Sequence, residues 1–249
     1  MRYFFIAFIF WSCNHVSQRG DSQDISTTVL DTINTSTSGL ETSPVIFETA
    51  FMKGTTKKVE NSIISFYGVT IGKVKIVSGR IIACDPMHIE EYGKPFTQLF
   101  PTGEFPVQLS ILKLDYEESI AFARIYFSGD PVYKWEFALL KGQLPIPVGG
   151  KKMHGYSVDA GVGVFIDEDA YRMLNREELT RMDAPLYKEM EKRQHNGWRY
   201  ALFNFGEHNL ASFSTGLGDG YYATYIGFDA NGKPCRLLTD FGLIDWKTK

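Results

Sequence analysis

The chain has 249 residues, with 26 Lys+Arg against 29 Asp+Glu and a formal net charge of −3. That length can bury a core as one large domain or two small ones, and an aromatic share of 14% is enough to anchor it. A slightly acidic balance with no Lys/Arg cluster argues against nucleic acid as a partner, and no apolar run reaches the roughly 18–20 residues that a membrane-spanning helix needs.

Met1-Arg2 gives a short positive start, residues 3–11 (YFFIAFIFW) form an apolar run, and Ser12-Cys13 follow. This is the layout of a secretory signal: basic start, apolar middle, small residue before the cut. A plain signal peptide, or a buried first strand with a chance cysteine, would carry the same run. A cysteine directly after a small residue also resembles the lipobox of bacterial lipoproteins. That resemblance implies a signal peptide over 1–12, acylation of Cys13, the membrane as a partner, and a place in the bacterial cell envelope facing periplasm or exterior. Each buried acyl CH₂ contributes about 0.8 kcal/mol, so two or three chains hold where one barely does. Residues 13–44 then read as a flexible tether: positions 14–44 hold 12 Ser/Thr and no aromatic residue, too little apolar surface to offset the entropy of ordering.

Residues 45–249 read as one mainly-β globular domain. The stretch at 141–150 (KGQLPIPVGG) would be the seam if it has two lobes. Residues 61–85 are rich in Ile and Val, with Gly68, Gly72 and Gly79 as breaks. Residues 72–77 alternate polar and apolar like a half-buried strand, and 77–80 turn into Ile81-Ile82-Ala83-Cys84. Residues 105–114 and 119–127 flank a four-residue polar tip, Asp115-Tyr116-Glu117-Glu118, as a hairpin. Residues 167–194 are helical, acidic at the start and basic at the end, which complements the helix dipole. Asp167 reads as the first cap; Pro185 divides the segment, with Asp183 capping the second helix. Residues 221–228 and 234–241 flank Asp229-Ala230-Asn231-Gly232 as a second hairpin. The expected class is therefore α+β, mainly antiparallel β with one helical insertion at about 167–195.

The string Ser214-Thr215-Gly216-Leu217-Gly218-Asp219-Gly220-Tyr221 spaces three glycines at alternate positions, which calls for tight turns or close approach of another group. It lacks the spacing of a dinucleotide fingerprint and the Lys of a phosphate loop. Either Asp219 and the loop amides face a pocket, or Asp219 caps nearby amides. Asp159 lies in an apolar, glycine-interrupted run, where a carboxylate must be hydrogen-bonded, paired or bound to a cation. It is then a ligand-binding or acid/base group, or a buried strut. Asp85, before Pro86, and Asp240 end strand-like runs and read first as turn residues. The five histidines show no metal spacing, and no Gly-x-Ser-x-Gly elbow is present. Scattered aspartates still leave room for a calcium-like cation. Cys84 and Cys235 sit near strand ends and read as buried and unpaired, although outside the cytoplasm they could bond.

Several strings in chain order resemble the domain of unknown function 4241 family: residues 79–86 (GRIIACDP), 101–107 (PTGEFPV), 158–161 (VDAG) with Asp167, 214–221 (STGLGDGY), 227–229 (GFD) with Gly232, and Asp240-Phe241. The resemblance runs from about 61 to 241. It implies the domain boundaries and singles out Asp85, Asp159, Asp219 and Asp240, without implying an activity. With no catalytic motif in the chain, the expected function is that of a non-catalytic binding or protective, immunity-like module with an unidentified protein or small-molecule ligand. Its candidate ligand-binding residues are Asp85, Asp159, Gly216, Gly218, Asp219, Gly220 and Asp240. The alternative is an extracytoplasmic hydrolase using Asp159 and Asp219, with or without a cation.

Overall fold

The computed structural model describes residues 44–59 and 62–247, which fall in one compact unit spanning Leu40–Lys249. The leader, Cys13 and the tether up to residue 43 lie outside the described residues.

Two antiparallel sheets organise the chain. In the larger, β1 (Thr55–Val59) pairs with β2 (Ser62–Ile76). Then follow β4 (Gly103–Leu114), β5 (Glu117–Tyr126), β12 (Pro234–Asp240), β11 (Gly220–Phe228) and β6 (Lys134–Phe137), and β7 (Tyr156–Val158) also pairs with β11. The smaller sheet has the order β3 (Ile81–Cys84), β8 (Val162–Asp167), β10 (His208–Ser214), β9 (Tyr200–Phe205). The fold is thus mainly antiparallel β with few short helices, as the sequence pattern predicts.

Three apolar layers result. One face of the larger sheet packs on one face of the smaller, where Val107, Leu109 and Ile125 meet Ala83, Phe165 and Phe213. The outer face of the smaller sheet (Ile82, Val164, Ile166) is covered by Ile89, Leu186, Tyr187 and Met190 from the helical segments. The outer face of the larger sheet (Phe66, Phe122, Tyr225, Leu238) is covered by Phe47 and by the chain end at Ile244 and Trp246. The central strands of both sheets are therefore buried on both faces, whereas β1 and much of β2 keep one face open. This is why β8 reads as an apolar run up to Asp167, with all six residues buried, rather than as an alternation.

Of the glycines expected to break the first strand region, Gly79 lies in the turn between β2 and β3, at φ 72°, but Gly68 and Gly72 do not interrupt the strand. β2 runs for 15 residues through Gly68 and Gly72. Its register with β4 shifts between Thr70 and Gly72, a bulge that lets the strand bend while staying paired. The next residues, 77–80, leave this sheet and enter β3 in the other. Asp167 holds that corner: its Oδ2 accepts from the Val77 and Ser78 amides at 3.1 and 3.0 Å and from the Ser78 hydroxyl at 2.8 Å.

The predicted helical insertion is α3 (Glu168–Met173), a 3-10 turn (Arg176–Glu178) and α4 (Pro185–Glu191). Asp167 caps α3 as expected, accepting from the Asp169 amide at 3.0 Å. Asp183 does not cap α4. Ala184 occupies that position, with Pro185 at the first helical residue, and the Asp183 carboxylate pairs with Arg181 at 2.9 Å. Two further helices carry no signal in the sequence: α1 (Ile46–Thr49) and α2 (Ile89–Tyr92), each of four residues, too short to be stable alone. Tertiary contacts hold α1. Phe47 is fully buried among Phe122, Trp135, Tyr225 and Trp246. Glu48 meets two buried guanidinium groups, Arg124 at 3.0 Å and Arg236 at 3.2 Å. Both predicted hairpins form, the first with a tip of two residues, Asp115-Tyr116, instead of four. Cys84 and Cys235 are buried free thiols, and among the described residues no helix is long and apolar enough to cross a membrane.

Candidate functional site

The four aspartates do different jobs. Asp85 is fully buried at the end of β3. Its Oδ1 accepts from the Met87 amide at 2.8 Å, capping a 3-10 turn (Pro86–His88), and its Oδ2 accepts from the amides of Asp159 and Ala160 at 2.8 and 2.9 Å. It is a strut between β3 and the turn that follows β7. Asp240 is almost as buried; its Oδ1 accepts from the Gly242 amide at 2.8 Å and its Oδ2 from the Trp246 indole at 2.7 Å. Burial pushes its carboxyl above the usual range, against those two hydrogen bonds.

Asp159 departs from the expectation of a carboxylate inside an apolar strand. β7 ends at Val158, so Asp159 stands on the turn, its side chain 66% exposed, with His88 Nε2 at 3.3 Å from Oδ2. The apolar neighbours that suggested burial belong to β7 and β8 on either side of it. Asp219 is exposed as well, and its carboxylate accepts no hydrogen bond among the described residues. The buried acid of this region is Asp85, which the Asp-Pro pair had suggested only as a turn. Among the described residues, no group of three or more His, Cys, Asp or Glu side chains could hold a metal ion.

The glycine-rich string forms the loop from β10 into β11. Thr215 is fully buried; its amide donates to the Gly161 carbonyl at 3.1 Å and its hydroxyl to the Gly218 carbonyl at 2.8 Å, which also accepts from the Tyr222 hydroxyl at 2.7 Å. Gly216 and Gly218 have φ of 46° and 113°. A Cβ on Gly216 would stand 2.9 Å from that of Phe241, so this loop requires glycine there on two counts. Gly220 already pairs with Val158 as the first residue of β11. The loop lies against the turn that Asp85 supports: a Cβ on Gly161 would be 3.5 Å from the Gly218 Cα.

This loop and the β4–β5 hairpin tip line one open groove of about 830 Å³, together with Asn196 and Gly197. Glu118 fixes the hairpin side. Its Oε2 accepts from the Tyr67 hydroxyl at 2.9 Å and the Trp198 indole at 3.1 Å, and burial, then Glu118, push the Tyr67 phenol up to about 12. Tyr116 (94% exposed) and Leu217 (86% exposed) are the most exposed large apolar side chains among the described residues, and both line the groove. In the sequence the glycines and Asp219 stand out, whereas Leu217 and Tyr116 do not. The available signal was an apolar residue at the centre of a turn, where only polar residues and glycine are needed.

A rigid two-sheet β scaffold that displays a loop-built groove is the class these features define. The chain belongs to the family described as protein of unknown function DUF4241, whose model matches residues 74–239. Both sides of the groove fall inside that match. Neither a search of curated proteins nor one of solved structures finds a match.

Proposed function

We propose that this chain is a membrane-anchored, non-catalytic binding module, held by acylated Cys13 on the tether of residues 13–44, that seats a partner protein in the groove between the β4–β5 tip and the glycine loop. The observation that carries the reading is the placement of Tyr116 and Leu217 on that groove. Exposed apolar side chains on a rim of polar groups and backbone are the usual anchors of protein recognition, and a few such residues dominate binding energy. The loops are rigidly held from behind by Asp85, Thr215 and Glu118, which limits the ordering cost on association. A protective, immunity-like role against a secreted protein is one use of such a surface.

The test is affinity capture from membranes and secretome of the source cell, with the full chain and its Tyr116→Ser/Leu217→Ser variant side by side. A partner held by the parent chain and lost from the variant supports the proposal; equal capture, or none, contradicts it. Labelling with a palmitate analogue tests the anchor, since the signal should vanish in Cys13→Ala.

The hydrolase alternative has one observation in its favour: Asp159 pairs with His88 in the open, beside the loop that carries Asp219. Hydrolytic turnover by the purified chain that falls at least about a hundredfold in Asp159→Asn would favour it over the binding reading.

A further inference from the structure

A second cavity lies away from the groove, between the start of β11, β7 and the segment after α2. Its volume is about 230 Å³. Tyr92, Phe96, Ala138, Leu140 and the Tyr156 ring give it a mostly apolar lining. An apolar cavity of about 150 Å³ accommodates a benzene ring, so this one has room for a single ring with one substituent.

The formal charge on its wall has one sign. Lys94 is the one charged residue among the lining residues, and no carboxylate joins it. Its ammonium makes no ion pair among the described residues. Gln143 has its amide oxygen engaged by the Leu140 amide at 2.9 Å, which leaves its NH₂ as the free donor. Tyr221 accepts from the Gly155 amide at 3.0 Å, so its hydroxyl proton is free to be donated. The Ser157 and Tyr92 hydroxyls on the same wall can donate or accept, and that of Thr224 is engaged with Thr239; one cation, no carboxylate and available donors on an apolar wall match a ligand with a negative charge at one end and a ring at the other.

We propose that this cavity is a binding site for a small ring-bearing carboxylate, its carboxylate paired with Lys94 and its ring packed between Phe96, Leu140 and Tyr156. The site is separate from the groove of the proposed function and does not depend on it.

The experiment is isothermal titration calorimetry of the full chain in detergent with benzoate, cyclohexanecarboxylate and the neutral isostere benzamide. At least one of the two acids should bind saturably at one site, with a dissociation constant below about 5 mM. Lys94→Gln should weaken that binding about tenfold or more, since a charge-assisted hydrogen bond is exchanged for a neutral one, and should leave benzamide unchanged. Ala138→Leu, which fills the cavity, should abolish binding of acid and amide alike; if that variant does not fold, Lys94→Gln decides alone. No saturable binding of either acid overturns the proposal. So does benzamide binding as tightly as benzoate, or acid binding that Lys94→Gln leaves unchanged.

Discussion

Asp85 ties the end of β3 to the turn that follows β7, and its removal should be felt far more than its single side chain suggests. Asp85→Ala withdraws the acceptor from three backbone amides, those of Met87, Asp159 and Ala160, all within 2.9 Å of the carboxylate. Losing the turn cap costs about 1 kcal/mol. Each of the other two amides adds about 1 kcal/mol, the lower end of the range for an unsatisfied buried donor, because the turn at Asp159 is itself exposed and water can reach it. The expected loss is about 3 kcal/mol, a large fraction of the stability of an ordinary domain. Asp85→Asn keeps one acceptor oxygen and should lose about half as much. Asp159→Ala removes only an exposed partner of His88 and should cost less than about 1 kcal/mol. Urea unfolding followed by far-ultraviolet circular dichroism measures all three, with the slope unchanged if only stability is affected. Asp85→Ala costing no more than Asp159→Ala would refute the strut.

Three other expectations follow from the same geometry. Asp240 has its folded pKa raised, first by burial; its contribution to stability is therefore fully present below the unfolded value of about 3.9 and is lost as pH rises through the folded one. Asp240→Asn should flatten the fall in stability just above pH 4, and parallel pH profiles for the two proteins would contradict this. Burial pushes both the Cys84 and Cys235 thiols up, so in a Cys13→Ala chain, which leaves these two as the cysteines, neither should react with Ellman's reagent until the chain unfolds, and fast labelling of that native protein would contradict their placement. Gly68→Ala should destabilise by about 2 kcal/mol because its Cβ would stand 2.4 Å from the Phe51 carbonyl oxygen. Gly232→Ala meets open space at φ 74° and should cost about 1 kcal/mol, so a reversed order in thermal unfolding would show that the Phe51 contact is loose.

Local chemistry made the hairpins and the first helix cap legible in the sequence. Asp229 to Gly232 and Asp115-Tyr116 are turns with their own polar residues, and Asp167 precedes a run of helix formers. What failed to show was set by distant parts of the chain. β2 stays a strand through two glycines because β4 pairs with it along nearly its whole length and Phe51 and Leu202 approach where side chains would stand. The β9–β10 hairpin, with Gly206-Glu207 as its two-residue turn and φ 53° at Gly206, carries its signal in the local sequence as well. Asp85 and Asp159 exchanged roles because burial depends on which sheet face the following turn meets, which composition cannot report. Of the candidate site, the glycine loop was visible. The cavity beside Lys94 was not, since its wall comes from segments that meet only in three dimensions.

The central proposal, that a partner sits against the glycine loop, is tested most directly by photo-crosslinking from position 217 of the chain in its own cells. A photoreactive residue in place of Leu217 should give one discrete heavier adduct, and the same residue in place of Tyr133, also widely exposed but on another loop, should not. Identical adduct patterns from the two positions, or no adduct from 217, would contradict the account.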